Sequence, residues 1–146
     1  MVSVIVLRTT GKRTEMLIAR RHDEYLNGVW SYIAGHIAQG EAGWQAARRE
    51  LREETGLVPD EFYATSFCEQ FYLAESNSIE IVPAFVARVD AAASVQLNAE
   101  HSAFRWVSLD EAAALLPFGS QRDLLAYVQR EFIARAPAVF LRIPSD

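Results

Sequence analysis

Glu50, Glu53 and Glu54 lie close together in a stretch whose pattern is helical. Trp44, Ala47 and Leu51 are spaced three and four apart, forming one apolar stripe between Gly43 and Thr55, and Gly56 follows at a C-cap position. At about 100° per residue the three glutamates share a stripe roughly 100° wide, centred some 110° (roughly) from the apolar one. The helix can therefore bury one side while holding three carboxylates on another. Like charges at these spacings repel by a few tenths of a kcal/mol per pair. A hard divalent cation, which takes oxygen ligands, would compensate them. An Arg/Glu-rich helix is also what an ordinary solvated face looks like, so the carboxylates alone leave both readings open.

The surrounding residues narrow the choice. Gly35, Glu41, Arg49, Glu50, Leu51, Glu53, Glu54, Gly56 and Leu57 fit every fixed position of the Nudix box. That box is Gly, five residues, Glu, seven residues, Arg-Glu-aliphatic, one residue, Glu-Glu, one residue, Gly-aliphatic. On these residues the chain is similar to the Nudix hydrolases. The resemblance implies a loop–helix–loop that binds Mg²⁺ or Mn²⁺ through Glu50, Glu53 and Glu54, helped by a backbone carbonyl at Ala34 or Gly35. It makes Glu53 and Arg49 catalytic candidates. Arg49, four residues before Glu53, can hold a carboxylate in a charge-assisted pair. Glu41 braces the loop through Arg49 or complements the helix dipole, and Gly35 and Gly56 permit sharp turns. The implied chemistry is hydrolysis of a nucleoside diphosphate linked to a further group. The metal neutralises phosphate charge and acidifies a water that attacks phosphorus in line, while a carboxylate takes the proton.

Features outside the box address the substrate. Glu100-His101, followed by Phe104-Arg105-Trp106, resembles a segment of the dihydroneopterin triphosphate and dATP pyrophosphohydrolase branch, which makes Glu100 a candidate metal contact or base. Trp30 stands five residues before Gly35, as in many Nudix proteins, and either stacks on a base or pterin or joins the core. The approach to the box is Ile33-Ala34-Gly35, not the commoner Pro-Gly-Gly. Arg20 and Arg21 are candidate phosphate contacts or strand-edge charges. His36 has no assigned role, and Phe71 and Tyr72 read as packing or as a base pocket. The leading expectation is cleavage of a nucleoside-triphosphate-like substrate, dNTP/NTP or dihydroneopterin triphosphate, to monophosphate and pyrophosphate. The alternative is a dinucleoside polyphosphate or nucleotide-sugar pyrophosphatase. A binding module without catalysis is disfavoured, because such modules commonly lack the box glutamates.

The elements that must position these groups follow from the rest of the chain. With 146 residues the sequence suits one domain spanning 1–146, able to bury roughly 70% of its unfolded surface without disulfides. The net charge of −5 argues against a nucleic-acid polymer as partner but not against a nucleotide held through metal ions. Cys68, the single cysteine, reads as a small core residue. Val2–Leu7 is apolar but too short for a membrane span, and reads as a first strand, not a signal peptide. The expected setting is the cytoplasm, the expected state a monomer or homodimer, and the partner a small nucleotide or pterin triphosphate, without a membrane.

Val2–Arg8 and Glu15–Arg21 are strand-like, joined by a turn at Thr9–Thr14. His22–Val29 reads as a loop around Asn27-Gly28, and Trp30–Ala34 as a short strand. Phe62–Leu73 and Ile79–Val89 are strands around a Glu75–Ser78 turn, and Ala103–Val107 is another. Ser108 opens a helix to about Leu116 with a capping-box pattern. Ser120 is placed to cap a last helix, whose apolar face is Leu124, Leu125, Val128, Phe132 and Ile133. The order predicts an α+β fold; the resemblance makes it a Nudix-type α/β/α sandwich with a mixed sheet.

Overall fold

The structure is a computed structural model that describes residues 1–24 and 26–145. Tyr25, inside the expected loop His22–Val29, and Asp146 lie outside the described residues. The strands are β1 (Val2–Thr10), β2 (Arg13–Arg21), β3 (Trp30–Ser31), β4 (Ile33–Gly35), β5 (Glu61–Leu73), β6 (Ser78–Arg88) and β7 (His101–Val107). The α-helices are α1 (Gly43–Thr55), α2 (Leu109–Leu115) and α3 (Gly119–Val128). Among the described residues, no helix is long and apolar enough to cross a membrane.

One mixed sheet runs β3-β2-β1-β6-β5, with β4 added to β1 and β7 to β2. β1 pairs parallel with β6 and antiparallel with β2 and β4. Its central place explains its composition: Val2, Val4, Ile5, Val6 and Leu7 are all fully buried, as expected for a strand covered on both faces. Val2, Val4 and Val6 join Ala46, Ala47 and Leu51 of α1 in one core. Ile5 and Leu7, on the opposite face, join Leu124, Val128 and Phe132 of the α3 region in another. The period-2 alternation of a strand thus divides the apolar residues between two helical layers.

Helix α1 has the expected limits. Ala42 opens it with its N–H donating to Gln45 Oε1, 2.9 Å. Gly56 closes it in the left-handed region, at φ 72°, with its N–H donating to the Arg52 carbonyl, 2.8 Å. Ser108 caps α2 by accepting the Glu111 N–H, 3.1 Å.

Four expectations need correction. Trp30–Ala34 is not one strand: β3 pairs with β2 and β4 with β1, so the chain changes partner at Tyr32. Ser120 does not cap α3; the N-cap is Phe118, whose N–H donates to Gln121 Oε1, 3.2 Å. The Ser120 hydroxyl is used on Glu69 instead, 3.1 Å. Cys68 is exposed rather than a core residue, because it follows the irregularity between Ala64 and Cys68 and sits opposite Pro83 on the long β5–β6 hairpin. β7 begins at His101, not Ala103.

Candidate active site

The end of α1 is closed by an irregular segment, residues 89–100, and backbone hydrogen bonds hold it there. Gln96 N–H donates to the Thr55 carbonyl, 2.8 Å, and Asn98 N–H to the Glu54 carbonyl, 3.3 Å. Asn98 Oδ1 then accepts from Glu100 N–H, 3.1 Å, while His22 N–H donates to the Glu100 carbonyl, 2.7 Å. β7 starts at the next residue, with His101 opposite Arg21 of β2. This chain of contacts brings Glu100 and His101 to the carboxylate of Glu54.

The result is a cluster. Ligand-type atoms of Glu54, Glu100 and His101 all lie within 4.8 Å of one another. Glu54 is only 3% exposed, and its Oε2 has no hydrogen-bond partner; nor has the buried His101 Nδ1. Burial, then the charges of Glu100 and Glu50, push the Glu54 carboxyl up to about 9, with Arg21 opposing them. Burial and then the Arg21 guanidinium hold His101 below the usual imidazole value, keeping it neutral with an available lone pair. An orphaned buried carboxylate oxygen beside two further donors is an expensive arrangement for a folded chain.

The neighbouring carboxylates are arranged differently. Arg49 binds both Glu41 oxygens, each at 2.9 Å. It also donates to Glu50 Oε1 at 2.8 Å, Glu53 Oε2 at 3.2 Å and the His36 carbonyl at 2.9 Å. Glu41 additionally accepts the Ala38 N–H, 3.0 Å. The Arg49 hydrogen bonds, followed by that of Ala38, hold the Glu41 carboxyl down at about 2. Glu41 and Glu50, in turn, raise Arg49 above the ordinary arginine value. This hub joins the loop before α1 to the helix and fixes Glu50 against Gly35. A methyl group at Gly35 would overlap the Glu50 carboxyl group, so the missing side chain is a steric requirement there.

The three box glutamates therefore divide. Glu54 faces Glu100 and His101. Glu50 lies between, electrostatically coupled to Glu54 but bonded to Arg49. Glu53 turns outward, its side chain 56% exposed, and reaches Arg49; it is not part of the close three-residue group. Ala34 is half-buried beside Gly35, paired in register with Ser3. Of the two arginines, Arg21 approaches the cluster, bonded to Asp23 at 2.5 Å and felt by both Glu54 and His101. Arg20 is exposed, with its guanidinium beside Gly28. Trp30 packs against the core on the α2–α3 side, with the Arg105 guanidinium 5.9 Å from its ring centre. His101 is the residue that sequence reasoning left without a role; its adjacency to Glu100 was the available signal.

Tested on these observations, the residues fit a divalent cation. The orphaned Glu54 Oε2 and His101 Nδ1 offer free donor atoms, and Glu50 and Glu100 add negative charge nearby. Oxygen donors suit Mg²⁺ or Mn²⁺, and an imidazole nitrogen tips the set toward Mn²⁺ or another borderline ion.

Comparison with known proteins agrees with this geometry. The NUDIX domain model matches residues 1–135. The chain is 38% identical over 125 residues to an octanoyltransferase of Myxococcus xanthus; the match covers 84% of this chain but spans only 34% of that protein. It is 27% identical over 124 residues to the asymmetrical bis(5'-nucleosyl)-tetraphosphatase of Caenorhabditis elegans, covering 84% of this chain and 88% of that one. A crystal structure of a C. elegans Ap4A hydrolase binary complex superposes with a TM-score of 0.75 at 23% identity, covering 91% of this chain and 97% of that one; this establishes the fold alone. With the box residues gathered at the end of α1 and the family model spanning nearly the whole sequence, the chain belongs to the Nudix hydrolase family.

Proposed function

We propose that this chain is a Mg²⁺- or Mn²⁺-dependent pyrophosphohydrolase that cuts a phosphoanhydride bond of a nucleoside polyphosphate. The observation that carries this reading is the buried Glu54 carboxyl group, whose Oε2 has no hydrogen-bond partner, facing Glu100 and His101. Glu54 and Glu50 are the residues assigned to hold the cation, with Glu53 and the Ala34 carbonyl as further donors. When bound, the cation supplies positive charge to the phosphate oxygens and makes a water molecule more acidic.

The chain's own groups do the rest. Arg49 holds Glu50 and Glu53 in fixed orientation through its bonds at 2.8 and 3.2 Å. Glu41 holds Arg49 in place from the other side. Glu100 is exposed and adjacent, and its carboxylate is assigned to receive the proton of the attacking water. Glu53 is the second candidate for that role. Arg21, beside the cluster, is assigned to a phosphate oxygen; Arg20 and Trp30, set apart from the cluster, are assigned to the outer part of the substrate.

Two substrate classes compete. The C. elegans tetraphosphatase relative favours a dinucleoside polyphosphate; asymmetrical cleavage of four bridging phosphates leaves a nucleoside triphosphate and a monophosphate. The Glu100-His101 segment favours a nucleoside or pterin triphosphate, cut to a monophosphate and pyrophosphate. We rank the first above the second, because the likeness to that relative extends over most of both chains. A small molecular substrate and a cytoplasmic monomer or homodimer go with either.

The test is a panel of dinucleoside polyphosphates, nucleoside triphosphates, dihydroneopterin triphosphate and nucleotide sugars with Mg²⁺ or Mn²⁺. Pyrophosphate, orthophosphate and nucleotide products are each measured. Turnover that vanishes with chelator and in Glu54→Gln is the expected result. If no compound is hydrolysed with either metal, the enzyme reading is wrong.

A further inference from the structure

The polar groups described so far lie at the end of α1, yet another buried carboxylate occurs in the opposite layer. Glu69 of β5 is 6% exposed, and among the described residues no cation pairs with it. Its described partners are three hydroxyl groups. Oε1 accepts from Ser3 Oγ at 3.2 Å and from the Tyr32 hydroxyl, while Oε2 accepts from Ser120 Oγ at 3.1 Å. Gln121, also buried, adjoins Tyr32. A buried carboxylate neutralised by no positive charge is costly, and the α1 chemistry does not use it.

Counting lone pairs shows what it can still accept. Each carboxylate oxygen takes two hydrogen bonds. Oε1 is filled, but Oε2 has one position left, and the Ser120 oxygen can accept while its own proton stays on Oε2. Oε2 and Ser120 Oγ therefore form a pair of acceptors 3.1 Å apart. Ser120 is half-exposed in the first turn of α3, so its hydroxyl is the solvent-facing member of the pair. Phe118, two residues earlier, leaves 46% of its surface in solvent and offers an aromatic face for stacking.

The pair also has a fixed relation to the carboxylate cluster. Tyr32 is bonded to Glu69, while Gly35, three residues on, touches Glu50. One short stretch of backbone thus separates the two sites. A ligand with its phosphates at Glu50 and Glu54 would have to pass around the Tyr32–Gly35 stretch to set its ring at Glu69.

Building on the proposed nucleoside polyphosphate hydrolysis, we infer that Glu69 Oε2 and Ser120 Oγ select a heterocycle presenting two adjacent N–H donors, the amino-imino edge shared by guanine and the pterins. Adenine presents an amino group beside a bare ring nitrogen, which would set a lone pair against an acceptor. Leaving one such buried polar group unmatched predicts roughly a tenfold or greater preference for the guanine ring. With glutamine at position 69 an amide N–H donor takes the place of Oε2 beside the Ser120 Oγ acceptor, a pair that matches adenine instead.

The experiment compares kcat/KM for GTP against ATP and for Gp4G against Ap4A, and the affinities of GMP and AMP by calorimetry. Wild type should favour guanine in all pairs by about tenfold or more, and Glu69→Gln should bring the ratios to unity or invert them. Ser120→Ala, which removes one acceptor and one hydrogen bond but keeps the buried carboxylate itself, should lower the ratios and covers the case in which Glu69→Gln does not fold. Equal wild-type ratios, or ratios unmoved in the variants, overturn the inference. If nothing is hydrolysed, the enzymatic reading falls; the GMP and AMP affinities still decide this one.

Discussion

Replacing Glu54 by Gln keeps the shape of the side chain and removes the ability to carry a negative charge. In the wild-type protein without metal, this carboxyl sits at about 9, against an ordinary 4.5. The folded state therefore binds the proton more tightly than the unfolded state. Its contribution to stability is complete below the unfolded value and is lost as pH rises through about 9. Between pH 7 and pH 9 the loss accumulates at about 1.4 kcal/mol per pH unit, on the order of 3 kcal/mol in total. For a domain of this size that is a fall in Tm of roughly 6–12 °C relative to the Gln variant. The assay is thermal unfolding in chelator, pH 6 to 10, for both proteins. A second titration adds Mg²⁺ or Mn²⁺ at pH 7. Metal should raise the wild-type Tm and leave Glu54→Gln close to its metal-free value, because ionising Glu54 at pH 7 is what the cation must offset. Parallel curves for the two proteins from pH 7 to pH 9 would refute the reasoning, since they would mean that Glu54 carries no burdened proton.

Three further outcomes follow from the same geometry. Gly35→Ala forces a methyl into the Glu50 carboxyl group and should lower kcat at least tenfold, with metal affinity, measured by calorimetry, falling too. Glu41→Gln breaks the two-oxygen grip on Arg49 and should reduce kcat more than it changes KM. Because Glu41 titrates near 2, wild-type activity lost on acidification between pH 6 and pH 4 should not come from this pair, and the Gln variant should show the same acid limb. Leu51→Ala removes a fully buried side chain of α1 and should cost about 2–5 kcal/mol in chemical denaturation, with activity falling as the helix loosens.

The local parts of the site were legible because they are written in local spacing. The limits of α1, its C-cap at Gly56 and the Arg49–Glu53 pair all follow from intervals within one helix. The strands of both hairpins were likewise visible in their alternation, give or take the end residues. What escaped depends on contacts distant in sequence. The chain's change of partner at Tyr32 is set by which strand edge is free, which no pattern within Trp30–Gly35 records. The division of the three glutamates is imposed by residues 89–100 docking on Thr55 and Glu54; helical geometry alone places all three together. Nothing in the strand pattern of Phe62–Leu73 marks Glu69 as buried, since the irregularity between Ala64 and Cys68 changes which residues face inward. That same irregularity exposes Cys68 and gives Ser120 a partner that outcompetes capping.

The placement of β1 has a consequence for how the chain reaches this state. The central strand β1 is made before its sheet neighbours, which arrive in sequence: β2 at once, β4 soon after, and β6 only when Ala84 to Arg88 have been made to meet Ser3 to Leu7. Until then one edge of β1 and much of its valine-rich surface stay open. Parallel pairing across so long an interval is slow, because the loop must close before its contacts repay the lost entropy. The nascent hairpin is thus the segment most exposed to self-association during synthesis. Slowing synthesis after β2 should increase aggregation, whereas the same pause placed after β6 should not.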